Sequence, residues 1–467
     1  MSIDTNLLVH DDRTMAQAMP IIPLRENELD TWKTEQPEEL KKWIKATDFR
    51  ANEGSLCFVP NNLGELGRVL LGMGKENDPW LFGALSGKLP TGTYCIASPE
   101  WNSSVRDQAA LAWALGAYRF ERYRRSRRSR PRLIFGADMD FESVRMQASA
   151  TYLVRDLINT PAADMMPQDL VKATKDLAQR HSANVRLIVA DDLLAENYPL
   201  VHAVGRASCH APQLIDLTWG SREAPKLTLV GKGVCFDSGG LDLKSAVGKR
   251  LMKKDMGGAA HALGLASMIM AAGLPVRLRV LIPAVENAVS GNAFRPGDVI
   301  CSRKGLTVEI DNTDAEGRLV LGDVLTEAAS EAPELIVDFA TLTGAARVAL
   351  GTEMPGFFTN QARVSESLLD AAARTDDPIW PLPLHRPYRQ MLDSRIADIS
   401  NSSSGSFGGA ITAALFLKEF LPDDVEWVHF DLMAWNVRKR PARPIGGEAM
   451  GMRAMFAYLQ ERFTGQI

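Results

Sequence analysis

Two α/β domains are predicted, a smaller N-terminal one and a larger C-terminal one whose central sheet is mostly parallel. Three observations predict them. The chain has 467 residues, more than a single hydrophobic core usually organises. Its 46% hydrophobic and 24% charged content excludes disorder as the main state and leaves ample apolar material for a core. In the second half, apolar runs of strand length alternate with helix-period stretches, the pattern of βαβ units.

Taken in order, residues 55–60 and 93–97 read as strands, 107–122 as a helix and 132–135 as a strand. Residues 146–158 form an apolar-periodic helix closed by Asn159-Thr160-Pro161, because the residue before a proline is pushed out of the helical region. The domain boundary is placed along that helix. The expected division is an N-terminal α/β domain over 1–140, a connecting helix over 141–158 and a catalytic domain over 159–467. In the last, 226–230 is a strand entering the glycine-rich segment 231–240, and 257–272 is a helix ended by Gly273 and Pro275. Strands at 276–283, 335–341 and 426–431 alternate with helices at 316–330 and 410–420. Residues 401–409 (NSSSGSFGG) read as a mobile loop. Active sites of such sheets lie beyond the carboxyl ends of the strands.

Charge and cysteine usage narrow the function. With 53 basic and 57 acidic residues the net charge is −4, so no global attraction to nucleic acid or acidic membranes is expected. The N-terminal residues are acidic where a secretory leader would be basic, and no apolar run is long enough to span a membrane. The five cysteines are scattered without a CxxC pair, which argues against a disulfide framework and for a reducing, cytoplasmic location. The seven histidines are also dispersed and HExxH is absent. A metal would therefore be held mainly by carboxylates.

Three ionisable clusters fall at the carboxyl ends of predicted strands: Lys232, Asp237 and Lys244; Asp255; and the run Asn312 to Leu319 with Asp314, Glu316 and Arg318. Singly, Asp237 could be a turn residue, Asp255 and Asp314 helix caps, and Lys232 an exposed loop charge. Together, four carboxylates at one sheet mouth carry −4, a charge prohibitive to bury alone. Two divalent ions would cancel it. Oxygen-dominated donors suit Mg²⁺, Mn²⁺ or Zn²⁺, and such pairs are a recurrent hydrolytic device.

The strings GKGVCFDSGG, KKDMGGAA, SGNAFRPGDVI and NTDAEGRLVLGD resemble the leucyl aminopeptidases, the M17 two-metal exopeptidases of the cytosol. The octapeptide NTDAEGRL is that family's signature and stands here unchanged. The resemblance covers about two-thirds of the chain, from Asn159 onward, and before it only the LGAYRFERY stretch is similar. It implies metal ligands Lys232, Asp237, Asp255, Asp314 and Glu316, with Asp237 and Glu316 bridging two divalent ions. Asp314 would complete the more exchangeable site, and Lys232 and Asp255 the tighter one. The metals implied are Mn²⁺ or Zn²⁺, with Mg²⁺ admissible in the exchangeable site. Lys244 and Arg318 would be catalytic, Lys244 stabilising the oxyanion and Arg318 holding a bicarbonate proton shuttle. The expected activity is release of N-terminal residues from peptides, preferably leucine and other large apolar ones, by a homo-hexamer. Coordination by Lys232 requires its pKa to fall from about 10.4 to below about 7, roughly 5 kcal/mol, which a divalent ion at bonding distance supplies.

One departure is visible. Ser245 follows Lys244 where the family usually has proline, and Asp242 adds an acid two residues before it. Met252, Thr341, Leu342 and Gly344 match positions that bind substrate in the family's first side-chain pocket, and Met433 is a weaker match. His261 and His429 read as satisfied structural histidines, and Ser406 lacks the GxSxG context of a nucleophile. Eight arginines occur within residues 119–132. Some family members bind DNA, but on a net-acidic chain the preferred reading is a solvated helix end, with no nucleic-acid partner. The alternatives are a DNA-binding regulator with secondary peptidase activity and a two-metal dipeptidase or amidase.

Overall fold

The computed structural model describes residues 7–9, 17–126, 129–136 and 138–465. They form two compact units, one of residues up to Tyr152 with Arg438–Ile445, the other of Leu153–Val437 with Gly446 onward. Both units are thus discontinuous in sequence.

The first unit is built on a six-stranded sheet. Its strands are β1 (Leu8–Val9), β2 (Met19–Arg25), β3 (Leu56–Pro60), β4 (Leu66–Gly74), β5 (Thr93–Ile96) and β6 (Arg132–Ile134), in the order β1-β6-β5-β2-β4-β3. All neighbours are parallel except β3 and β4. Helix α1 (Ser103–Gly116) starts where the Asn102 side chain accepts the Val105 N–H, satisfying one of the open donors of the first turn. Its Trp113 is fully buried, 6.0 Å centroid to centroid from Tyr94 of β5. The helix ends six residues before the expected Arg122. A Cβ at Gly116 would lie 1.8 Å from the Gly83 carbonyl oxygen, and the chain beyond it carries successive arginines whose repulsion disfavours another turn. Most of the arginine run is therefore loop. Arg119 donates to the Ser126 hydroxyl at 2.8 Å and Arg130 pairs with Glu121 at 3.3 Å, while Arg127 and Arg128 lie outside the described residues.

The chain passes from the first unit to the second within helix α2 (Phe141–Asn159). The second unit holds a nine-stranded sheet of β7 (Asn184–Val189), β8 (Gln213–Trp219), β9 (Lys226–Gly231), β10 (Gly233–Asp237), β11 (Arg277–Asn287), β14 (Leu335–Ala340), β15 (Gly356–Thr359), β16 (Trp380–Pro381) and β18 (Trp427–Asp431). A small separate sheet holds β12 (Val299–Cys301), β13 (Thr307–Glu309) and β17 (Ile399–Ser400). The main order is β16-β15-β18-β14-β9-β11-β8-β7, with β10 also paired to β11. Its centre, β18-β14-β9-β11, is parallel throughout, and antiparallel strands flank it. This explains the sequence pattern: β14 reads LIVDFA with every residue buried, as expected where helices cover both faces.

Helix α3 (Gly257–Ala271) is apolar all round and buried along nearly its whole length, the signature of a central helix. Its start is pressed against the strand ends. A Cβ at Gly258 would lie 2.0 Å from the Phe339 carbonyl oxygen, so only glycine permits that approach. Helix α4 (Glu316–Ser330) packs from the other direction, with Leu319, Val320, Leu321, Val324 and Leu325 fully buried. Each such side chain contributes about 1.5–3 kcal/mol through burial. Helices α5 (Gly344–Leu350) and α6 (Gly409–Lys418) complete the surroundings of the site. The 401–409 loop is anchored at its first residue: Asn401 is fully buried and accepts the Asp311 and Asn312 N–H groups at 2.9 and 3.1 Å. Among the described residues no helix is long and apolar enough to cross a membrane.

Candidate active site

The ionisable clusters converge beyond the carboxyl ends of β9, β10 and β14. Lys232 links β9 to β10, and its backbone is fixed from two sides. Its N–H donates to the Phe339 oxygen at 3.0 Å, and its carbonyl accepts the Ala259 N–H at 2.9 Å. Its ammonium lies 2.7 Å from Asp255 Oδ2 and 2.9 Å from Glu316 Oε1. Lys244 lies 2.8 Å from Asp237 Oδ2 and also pairs with Asp314 Oδ1. The two lysines thus tie the four carboxylates together. Gly317 is part of this packing, since a Cβ there would meet Lys232 Cε at 2.6 Å and Nζ at 2.7 Å.

Asp237, Asp255 and Glu316 are buried and offer oxygens within 4.8 Å of one another, a spacing able to hold a cation. Four carboxylate oxygens, Asp255 Oδ2, Asp314 Oδ1 and both of Glu316, accept no directed hydrogen bond among the described residues, although ammonium groups stand within ion-pair range of three. Buried acceptors left this way are costly without a cation. Hard oxygen donors with one amine fit two divalent ions. The capping alternatives fail for Asp255 and Asp314: the residues preceding α3 and α4 are Met256 and Ala315, and neither helix has a side-chain cap. Asp237 does serve its turn, accepting the Gly239 N–H at 2.8 Å, while its other oxygen faces Lys244.

The electrostatics follow from burial and crowding. Burial, with Asp237 beside it, pushes the Glu316 carboxyl up to about 8. Burial opposes the charge on Lys232, but Asp255, Glu316 and Asp237 outweigh it and hold its pKa above the ordinary lysine range. Lys244 is held up in the same way by Asp237 and Asp314. Arg318 is fully desolvated, which lowers its pKa to about 10, and its Nε has no hydrogen-bond partner among the described residues. It remains a cation poised for an anion.

Of the supporting residues, Asn287 carried no signal of its own, whereas Asp242 and Ser245 stood out only as departures from the family pattern. Asn287, at the end of β11, donates to Asp237 Oδ1 at 2.9 Å and to the Thr313 oxygen at 3.1 Å. Asp242 accepts the Thr313 N–H at 2.7 Å and its hydroxyl at 3.1 Å, joining the Lys244 loop to the Asp314 loop. Ser245 accepts the Gly248 N–H at 3.1 Å and so caps a short helix over Ala246–Lys249. The two departures from the family pattern are thus structural devices that stiffen the Lys244 loop.

The other singled-out positions divide. Met252 and Leu342 are half-buried and Gly344 is exposed at the start of α5. Thr341 is buried, and its hydroxyl donates to Asp255 Oδ1 at 2.7 Å, so it steadies that carboxylate. Met433 is half-buried just after β18, and Ser406 is exposed. His261 is satisfied at both nitrogens: Nδ1 lies 2.6 Å from the Gly257 oxygen, and Nε2 accepts the Met450 N–H at 3.0 Å. His429 is only half satisfied, a correction to the expectation. Its Nδ1 lies 2.6 Å from Asp338 Oδ1, and its buried Nε2 has no hydrogen-bond partner among the described residues.

Comparison with known proteins agrees with this geometry. The profile of the cytosol aminopeptidase family's catalytic domain matches residues 152–456, and that of the M17 aminopeptidase N-terminal domain matches 19–136. A protein of Chlamydia caviae named "Probable cytosol aminopeptidase" is 42% identical over 332 residues, which is 70% of this chain and 66% of that protein, so the match spans just under two-thirds of that relative. One of the same name from Roseiflexus castenholzii is 34% identical over 467 residues, covering 93% of this chain and 95% of its own. Among solved structures, the cytosol aminopeptidase from Coxiella burnetii superposes with a TM-score of 0.95 at 48% identity, covering 98% of this chain and 100% of that one. The bottromycin maturation enzyme BotP, in complex with Mn, gives 0.86 at 30% identity, covering 95% and 99%. With its catalytic-domain profile matched over most of the chain and these five ligand-type residues drawn to one point, the chain belongs to the cytosol aminopeptidase family.

Proposed function

We propose that this protein is a metal-dependent aminopeptidase that releases N-terminal residues, leucine and other large apolar ones by preference. The observation that carries the reading is the convergence of Asp237, Asp255 and Glu316 within 4.8 Å, beside Lys232, at the mouth of the sheet. Lys232, Asp237, Asp255, Asp314 and Glu316 would hold two divalent ions, Mn²⁺ or Zn²⁺, which supply Lewis-acid polarisation of the scissile carbonyl and acidify the attacking water. Lys232 arrives as an ammonium, so loading the site exchanges a proton for a metal bond and makes affinity steeply pH-dependent.

The chain's own groups do the rest. Lys244 keeps its charge at neutral pH and faces the same carboxylates, so its ammonium is placed to stabilise negative charge developing on the carbonyl oxygen. Arg318 cannot act as a base. Its buried guanidinium would instead hold a small planar anion, bicarbonate in this reading, which would supply a proton shuttle beside the scissile bond. Asn287 and Thr341 keep Asp237 and Asp255 in place through hydrogen bonds to one oxygen of each. A cytoplasmic homo-hexamer is the assembly we propose. Leucine-p-nitroanilide hydrolysis, assayed before and after chelation, tests the reading. Loss with chelator and return with Mn²⁺ or Zn²⁺ is expected, and chelator-resistant hydrolysis would refute metal dependence.

A further inference from the structure

Lys254 stands immediately before the ligand Asp255, in the 3₁₀ turn Met252–Lys254, and nothing in the reaction outlined above uses it. Its neighbour Lys253 has an ordinary place, donating to the Asn159 oxygen at 2.7 Å with its ammonium 5.4 Å from the Trp435 ring centroid. Lys254 points elsewhere. It is only 2% exposed, and no hydrogen bond or ion pair reaches its ammonium among the described residues. A buried cation of this kind is expensive unless something anionic meets it.

The nearby acids are already committed. Asp255 is taken by Lys232 and the Thr341 hydroxyl. Asp431 accepts the Leu342 and Thr343 N–H groups at 3.0 and 3.1 Å and pairs with the Thr343 hydroxyl. The remaining charged neighbours of Lys254 are cations, Arg347 and Lys232. Arg347, on α5, is half-buried and likewise makes no side-chain hydrogen bond or ion pair among the described residues. Its Nη2 lies 3.6 Å from where a Cβ of Gly344 would stand. Thr341 bonds to Asp255, the residue after Lys254, so two cations without dedicated counter-ions stand near this segment, Lys254 two residues beyond Met252 and Arg347 against Gly344.

We propose that Lys254 and Arg347 form a receptor for a substrate carboxylate at the end of the first side-chain pocket, so that N-terminal glutamate and aspartate are accepted alongside leucine. The inference rests on the aminopeptidase reading and on Met252 and Gly344 lining that pocket. Aspartate's carboxylate oxygens reach as far from Cα as leucine's methyls and glutamate's reach one bond further, so the acids and leucine differ chiefly in what the far end of the pocket must meet. A methionine wall suits both, and a cation pair at the end rewards the carboxylate.

The test measures kcat/KM of the metal-loaded enzyme for glutamyl- and leucyl-p-nitroanilide, in the wild type and in Lys254→Met and Arg347→Met. Metal content per chain is recorded for each protein. The glutamyl-to-leucyl ratio is expected to fall by about tenfold or more in each variant, the loss of one charge-assisted hydrogen bond. Arg347, being half-buried, keeps the test open if Lys254→Met does not fold. An unchanged ratio in metal-replete variants would overturn the proposal. A second arm compares Leu-Gly with Leu-Gly-amide. Discrimination that falls there, with the glutamyl ratio unchanged, would overturn the side-chain assignment and place the carboxylate at the substrate's C-terminus. Wild-type enzyme holding two ions yet hydrolysing neither anilide would overturn the aminopeptidase reading itself.

Discussion

Gly317→Ala is a one-carbon change that reaches the centre of the site. A Cβ at this position would sit 2.6 Å from Lys232 Cε, 2.7 Å from Nζ and 2.9 Å from Cδ. Carbon–carbon contact is comfortable at about 3.5 Å, so the lysine end must retreat by about 0.9 Å. It has little freedom to do so gently, because its backbone is bonded to Phe339 and Ala259 and its side chain is 3% exposed. The retreat moves Nζ off the position shared with Asp255 and Glu316. Global stability should change little, since alanine gains about 1 kcal/mol of helix propensity over glycine and overpacking costs about 1–3 kcal/mol. Metal affinity should weaken by about 10–100-fold, and turnover by about 10²-fold for a displacement of that size. The assay is bound metal by elemental analysis beside leucyl-p-nitroanilide turnover, with thermal unfolding in chelator as the folding control. A variant that holds two ions per chain and turns over like the wild type would refute the assignment of Lys232 as a ligand packed against this glycine.

Three further outcomes are expected. Lys232→Ala should lose bound metal and recover part of its activity with added metal, whereas Lys244→Ala should keep its metal and lose about 10²–10³ in kcat; equal metal loss in both would show the two lysines misassigned. His261 is buried neutral with its pKa lowered to about 4, against 6.5 when unfolded, so its contribution is complete above pH 6.5 and is lost as pH falls towards 4, by about 3 kcal/mol in all; metal-free His261→Gln should lose less stability between pH 7.5 and 4.5 than wild type, and parallel losses would contradict this. Duplex DNA should not be bound specifically at physiological salt, and nanomolar binding abolished when Arg124, Arg125, Arg127 and Arg128 become serine would reverse that expectation.

The parallel centre of the catalytic sheet was legible because burial on both faces leaves near-continuous apolar runs, as in β14 and β18. Strands β2, β4, β7 and β8 were not, since the prolines of β2, the glycines of β4, Arg186 in β7 and Asp216 in β8 interrupt the apolar pattern. The same contrast holds in the site. Lys232, Asp237, Asp255, Asp314 and Glu316 stand in dense motifs, and their convergence follows once each lies at a strand end. Asn287 was silent and Asp242 stood out only as a departure from the family pattern, because a hydrogen bond to a residue about 50 or 70 positions away leaves no local pattern. Lys254 was hidden for a different reason: a lysine in a polar string reads as solvated, and only packing shows it buried.

Two divalent ions held by this chain are central to its proposed activity, and stoichiometry measured against turnover tests them most directly. Chelator-stripped protein would be titrated with Mn²⁺, with bound metal and leucyl-p-nitroanilide turnover measured on the same samples. No turnover without metal and full turnover at about two ions per chain is the result predicted. Full turnover at one ion, or in protein with none, would contradict the account.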